Sequence, residues 1–193
     1  MQITGDMTVL HRRALDVVGR VAGGITAADL ARPTPCAGWD LRALLAHAIG
    51  QNHGFADAAE RDVGVEAFAA RPVPDDPSPA WTESAQRVGD ALAAAVAAQR
   101  TVLLAEFPEF GRLPAAVVLS MHLLDTVVHG WDVATALEQP YRPDDELVTA
   151  VAAIAQMVPA GADRERPGAS FGPVVDGSTD DPWLSTLHHL GRR

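Results

Sequence analysis

Apolar residues return every three or four positions along nearly the whole of this chain, a period that helices satisfy and strands do not. Over residues 7–21, Leu10, Ala14, Val17, Val18 and Val21 form one stripe, with His11, Arg12, Arg13 and Asp16 assigned to the polar side. Gly23 and Gly24 stop this helix, and Pro33 and Pro35 keep the following polar link from being helical. Asp40 is a good N-cap for a second helix to about Ala59, with Leu41, Leu44, Leu45, Ala48 and Ile49 on its apolar face and Gly50 and Gly54 weakening its far half. Residues 71–79 read as a proline-rich loop.

A third helix over residues 80–100 must make its contacts through Trp81, Val88, Leu92, Ala95 and Val96. A fourth runs from near Pro114 to about Leu137, with Val117, Val118, Met121, Leu124, Val128 and Val133 as its apolar positions. Asp144, Asp145 and Glu146 open a fifth, to about Val158, and suit its positive N-terminal end. Residues 161–181 are rich in glycine and proline, and a short helix over residues 182–190 is expected to pack back as a C-terminal strap. No alternating strand is recognisable. The expectation is an all-α, four-helix bundle with additional short helices, one domain over residues 1–193.

A net charge of −10 repels phosphate backbones, so no nucleic-acid partner is expected. No apolar run approaches the roughly 20 residues needed to cross a bilayer, and the N-terminus lacks a basic leader region. The single cysteine, Cys36, allows no intrachain disulfide and fits a reducing, cytoplasmic setting.

The chemistry-bearing stretch is Met121-His122-Leu123-Leu124-Asp125-Thr126-Val127-Val128-His129-Gly130-Trp131-Asp132. Asp125 and His129 stand four apart, so a carboxylate and an imidazole share one helical face and can converge on a divalent ion. The same spacing also fits an exposed ion pair or a core histidine held by a carboxylate. Two features favour the ion. The surroundings are strongly apolar, where an unpaired Asp and His would be costly. His47, at the edge of the second helix's buried face, could supply a third ligand if the two helices pack antiparallel. Two histidines and one carboxylate leave coordination positions open for water or substrate.

His122 lies seven residues before His129, about 10.5 Å of helical rise, so the two histidines cannot easily share one ion. His129 is taken as the ligand and His122 as a neighbour that contacts a cofactor or substrate. His53 points about two-thirds of a turn away from His47, and His188 and His189 read as surface or partly packed residues. Cys36 reads as a small residue packed in a turn, and Trp39 and Trp131 as packing at helix ends.

Residues 34–47, Thr34-Pro35-Cys36-Ala37-Gly38-Trp39-Asp40-Leu41-Arg42-Ala43-Leu44-Leu45-Ala46-His47, followed by Asp125-Thr126-Val127-Val128-His129-Gly130-Trp131-Asp132-Val133-Ala134, resemble the metal-binding domain of mycothiol-dependent maleylpyruvate isomerases. The chain is more similar still to a single-domain bacterial branch of the same DinB-like superfamily, including its ending at Phe171-Gly172-Pro173, Asp180-Asp181-Pro182-Trp183-Leu184 and Leu190-Gly191-Arg192. The resemblance implies a DinB-like four-helix bundle whose metal ligands map onto His47, Asp125 and His129. The implied ion is divalent, zinc first and nickel or manganese next. Relatives of known activity use it to activate a low-molecular-weight thiol for isomerisation or S-transfer.

The isomerases carry Glu where this chain has Asp125, and a further C-terminal domain with no counterpart after Arg193, so maleylpyruvate isomerisation itself is not expected. The expected function is a divalent-metal-binding protein, a metal- and thiol-dependent enzyme acting on a small electrophilic molecule. Arg42, close to His47, is the basic residue named for cofactor or substrate contact, alongside His122. The alternative is a non-catalytic metal- or ligand-binding module in stress response. The alanine-rich helices make a homodimer plausible.

Overall fold

The protein is described by a computed structural model covering residues 6–166 and 169–193. Residues 1–5, on which the expectation of no basic leader region rests in part, and residues 167–168, within the Gly/Pro-rich stretch, lie outside the described residues. The chain divides into two compact units, Asp6–Tyr141 and Arg142–Arg193.

The first unit contains four long helices: α1 (Met7–Ala22), α2 (Leu41–Glu60), α3 (Ser78–Ala97) and α4 (Ala115–Ala136). Asp40 caps α2 as its sequence promised, accepting from Ala43 N at 2.8 Å. Leu41, Leu44 and Leu45 on α2 and Val118, Leu119 and Leu123 on α4 are fully enclosed. Each such side chain contributes about 1.5–3 kcal/mol through burial. α1 and α2 each neighbour both α3 and α4, and α3 also neighbours α4.

Directions follow from paired residues. On α2 and α4, Asn52 meets His122 and His47 meets His129, which makes them antiparallel. On α2 and α3, Asn52 meets Ser84 and Asp57 meets Arg87, which makes them parallel. A parallel pair needs a long return, and residues 61–77 supply it, with a short 3₁₀ turn (Val65–Phe68) laid across α2. Gly50 and Gly54 sit under that turn, where a Cβ would collide with Ala69 and Phe68. The glycines that seemed to weaken the helix therefore admit a neighbour, and α2 continues intact to Glu60.

Three expectations change. A two-stranded antiparallel hairpin, β1 (Thr101–Leu103) and β2 (Arg112–Pro114), stands where no strand was recognised, because three residues are too few to display alternation. α3 ends three residues earlier than predicted, at Ala97, with Gln99 in the left-handed region (φ 52°) where a glycine would have flagged the end. His11 faces inward, 1% exposed, because the buried stripe of α1 runs through Leu10, His11, Ala14, Leu15, Val18 and Ala22.

The second unit holds α5 (Asp145–Ala155) and α6 (Pro182–His189), which pack on each other. Asp144 caps α5 through Leu147 N at 3.0 Å. Asp181 caps α6 through Trp183 N at 2.9 Å and is gripped by Arg142 at 2.8 Å. Arg164 donates to the carbonyls of Pro159 and Val158, beyond the end of α5, and of His189, at the end of α6, where partial negative charge collects. Among the described residues, no helix is long and apolar enough to cross a membrane.

Candidate metal centre

The seam between α2 and α4 brings the three sequence-predicted ligands together. His47, Asp125 and His129 each offer one donor atom, and all three atoms lie within 4.8 Å of one another. One turn of α4 separates Asp125 from His129, and Asp125 Oδ1 stands 3.4 Å from His129 Nε2. Two donors at tetrahedral positions around an ion, with bonds near 2.1 Å, lie about 3.4 Å apart. The shorter Asp125 thus reaches its position without the extra methylene of a glutamate. His47 comes in from α2, its ring edge-on to that of His129 with centroids 5.4 Å apart. All three residues are partly buried, a donor set of two imidazoles and a carboxylate that suits a borderline divalent ion.

Electrostatics separates the two imidazoles. Burial opposes protonation of His129, but the Asp125 carboxylate, with Asp132 and Cys36 hydrogen-bonding behind it, outweighs burial and pushes its pKa up to about 10. Burial lowers the pKa of His47, partly offset by Asp125. The ion-free cluster at neutral pH therefore holds one imidazolium between carboxylates beside one neutral imidazole. A divalent cation held by these three residues would displace that proton.

Sequence reasoning missed several side chains here. Asp132, three residues past His129, accepts from its Nδ1 at 2.9 Å and has no exposed surface. Cys36 does pack in a turn, and its thiol also donates to Asp132 Oδ2 at 3.3 Å. Trp39 packs as expected, its ring 4.8 Å from that of His47. Glu106, on the loop after β1, accepts from Gln51 Nε2 at 3.2 Å, and burial together with the Asp125 charge raises its pKa despite that hydrogen bond. Gln51 was findable, since it lies one turn beyond His47 on the same face; Glu106 carried no sequence signal.

The two residues named for cofactor contact are placed elsewhere. His122 turns into the core, where its Nδ1 pairs with His11 Nε2 at 2.8 Å and its Nε2 with Asn52 Oδ1 at 3.1 Å. Its polar atoms are used there, two helical turns from His129. Arg42 donates to Val73 O at 2.5 Å and to Asp75 at 2.9 Å, pinning the proline-rich loop onto α2. Neither joins the His47, Asp125 and His129 cluster. His53 is likewise apart, 3.3 Å from Arg87.

Fold and site define a class: an α-helical bundle with two histidines and a carboxylate converging between two of its helices. Residues 11–134 match the mycothiol maleylpyruvate isomerase N-terminal domain, and the chain belongs to that family. It is similar to uncharacterized proteins of Mycobacterium tuberculosis from two strains, each 28% identical over 167 residues that cover 86% of both chains. Its fold is similar to the crystal structure of a histidine-to-alanine mutant of the mycothiol-dependent maleylpyruvate isomerase, with a TM-score of 0.62 at 17% identity, over 89% of this chain and 75% of that one. The fold is DinB-like.

Proposed function

We propose that this protein binds a divalent ion through His47, Asp125 and His129 and uses it with a low-molecular-weight thiol, mycothiol in the first instance, whose thiolate adds through sulfur to a small electrophile, either to remain as the S-conjugate or to leave again after isomerisation. The observation that carries this reading is the meeting of three donors from two distant stretches of chain within 4.8 Å. Membership of a family described by mycothiol maleylpyruvate isomerases supplies the thiol. Zinc is the first choice of ion, with nickel and manganese as alternatives. A divalent ion at this position acts as a Lewis acid that lowers the pKa of a coordinated thiol.

The chain's own residues do the rest. Asp125 and His129 offer donors from one helical face and His47 closes the third side from the facing helix. Glu106, anchored by Gln51 and subject to the Asp125 charge, is the group suited to hold a proton at its carboxyl beside the centre.

The test is turnover of a panel of electrophiles by metal-loaded protein with mycothiol, against His129→Ala as control. Thiol-dependent turnover well above that control is the expected result. Metal binding without turnover on any electrophile would replace the enzyme with a non-catalytic metal-binding module. Metal content near zero after loading with zinc, nickel or manganese would remove both.

A further inference from the structure

The two nitrogens of His129 face different carboxylates: Nε2 lies 3.4 Å from Asp125 Oδ1, and Nδ1 lies 2.9 Å from Asp132 Oδ2. A proton on Nδ1, donated to Asp132, leaves the Nε2 lone pair aimed into the cluster. A carboxylate behind a ligating imidazole fixes its tautomer, sets its ring orientation and strengthens it as a donor. Asp132 has no exposed surface, so water does not compete for this hydrogen bond.

The same carboxylate oxygen accepts a second hydrogen bond. Cys36 Sγ donates to Asp132 Oδ2 at 3.3 Å from the turn that leads into α2. That turn is tightly closed: Thr34 N and Oγ1 both donate to Trp39 O, at 3.2 and 2.9 Å, and Trp39 N donates to Cys36 O at 3.0 Å. Gly38 sits in it at φ 82°, a left-handed conformation that glycine adopts without strain. Trp39, from this turn, lies against the ring of His47. One short turn thus backs both imidazoles, His47 through Trp39 and His129 through Cys36 and Asp132.

We propose that Asp132 is a positioning residue that presents His129 Nε2 to the ion, and that Cys36 holds Asp132 in place without itself binding metal. The inference rests on the metal-binding reading above. It also decides between two donor sets, because Cys36, His129 and Asp132 lie close enough together to hold an ion of their own. The geometry assigns these three to bracing the neighbouring site.

Cobalt(II) titration of the full chain tests this directly, with affinity read from its visible absorption. Wild type should bind one ion per chain with no sulfur-to-cobalt charge-transfer band. Asp132→Asn should weaken binding by about 10- to 100-fold and alter the visible spectrum. Cys36→Ala should weaken it less, and Cys36→Ser, which keeps a donor, should restore most of the loss. A second measurement needs no variant: proton NMR of cobalt-loaded wild type should contain a strongly shifted N–H resonance that exchanges slowly with solvent, from His129 Nδ1.

Unchanged affinity and spectrum in Asp132→Asn, or no slowly exchanging N–H, would overturn the positioning role. Two ions per chain or a thiolate band would overturn it in favour of a second metal site. Failure of wild type to bind cobalt or zinc at all would instead remove the underlying reading. Loss of binding in His47→Ala with full retention in Asp132→Asn would keep that reading and sink this inference alone.

Discussion

His11 Nε2 and His122 Nδ1 share a hydrogen bond of 2.8 Å deep between α1 and α4. His122 donates through Nε2 to Asn52 Oδ1, so its Nδ1 must accept, and Thr126 Oγ1 approaches the same atom at 3.2 Å. His122 is therefore neutral, and His11 donates to it through Nε2. Burial, aided by the Arg12 charge, lowers the His11 pKa to about 4, and burial also holds His122 well below the usual range.

This fixes the sign of a pH effect. The unfolded chain, with imidazoles near pKa ~6.5, takes up more protons than the native state between that pH and about 4. The His11 contribution is complete above pH 6.5 and is lost as pH falls towards 4, by about 3 kcal/mol. His11→Leu should be less stable at pH 7.5, by about 1–3 kcal/mol, because a donor to His122 is gone. Its stability should nevertheless fall less steeply than that of wild type between pH 7 and 4.5. Urea unfolding across that range measures both, and parallel slopes would refute the assignment.

Metal affinity should rise with pH. Since the ion-free His129 is protonated up to about pH 10, each ion that binds near neutrality releases one proton from it. Zinc or cobalt affinity should increase by about tenfold per pH unit between pH 7 and 9. Competition titrations in weakly coordinating buffers would measure the slope, and a flat profile would place His129 outside the ligand set.

Asp125 offers a substitution in both directions. Asp125→Asn removes the charge and should weaken zinc binding by at least about tenfold. Asp125→Glu keeps the charge, lengthens the side chain by one methylene and should bind within about threefold of wild type. Isothermal titration of the pair distinguishes a ligand from a surface carboxylate, for which both changes would be neutral.

Glu106→Gln keeps the shape of the side chain and removes its proton exchange. Thiol-dependent turnover should fall by about 100-fold while cobalt affinity stays within about twofold. Equal losses in both would make Glu106 a ligand or a structural residue.

Much of this was legible in the sequence, for identifiable reasons. Asp40, the leucines of α2 and the apolar run of α4 each point to one structure locally, and the four-residue interval between Asp125 and His129 fixes their shared face. What stayed hidden depends on neighbours. His11 looks like a polar-face residue until His122 is known to oppose it. His122 sits on the same stripe as His129, yet its ring turns towards α1 and α2. Asp132 adjoins Trp131 in a segment that reads as packing, and only the approach of Cys36, 96 residues earlier in the chain, reveals what its carboxylate does.

The hydrogen bonds from His11 through His122 and Asn52 to Ser84 draw one residue from each of α1, α4, α2 and α3. Alanine-rich surfaces can slide over one another at small energetic cost, but a slip of one turn here would strand several polar groups in an apolar interior. This chain of contacts therefore acts as a key that locks helix against helix. With Asn52 latched to His122 on antiparallel rods, the spacing of His47 from Asp125 and His129 is dictated from below, and a lesion at Asn52 would blur the metal cradle without touching any of its ligands.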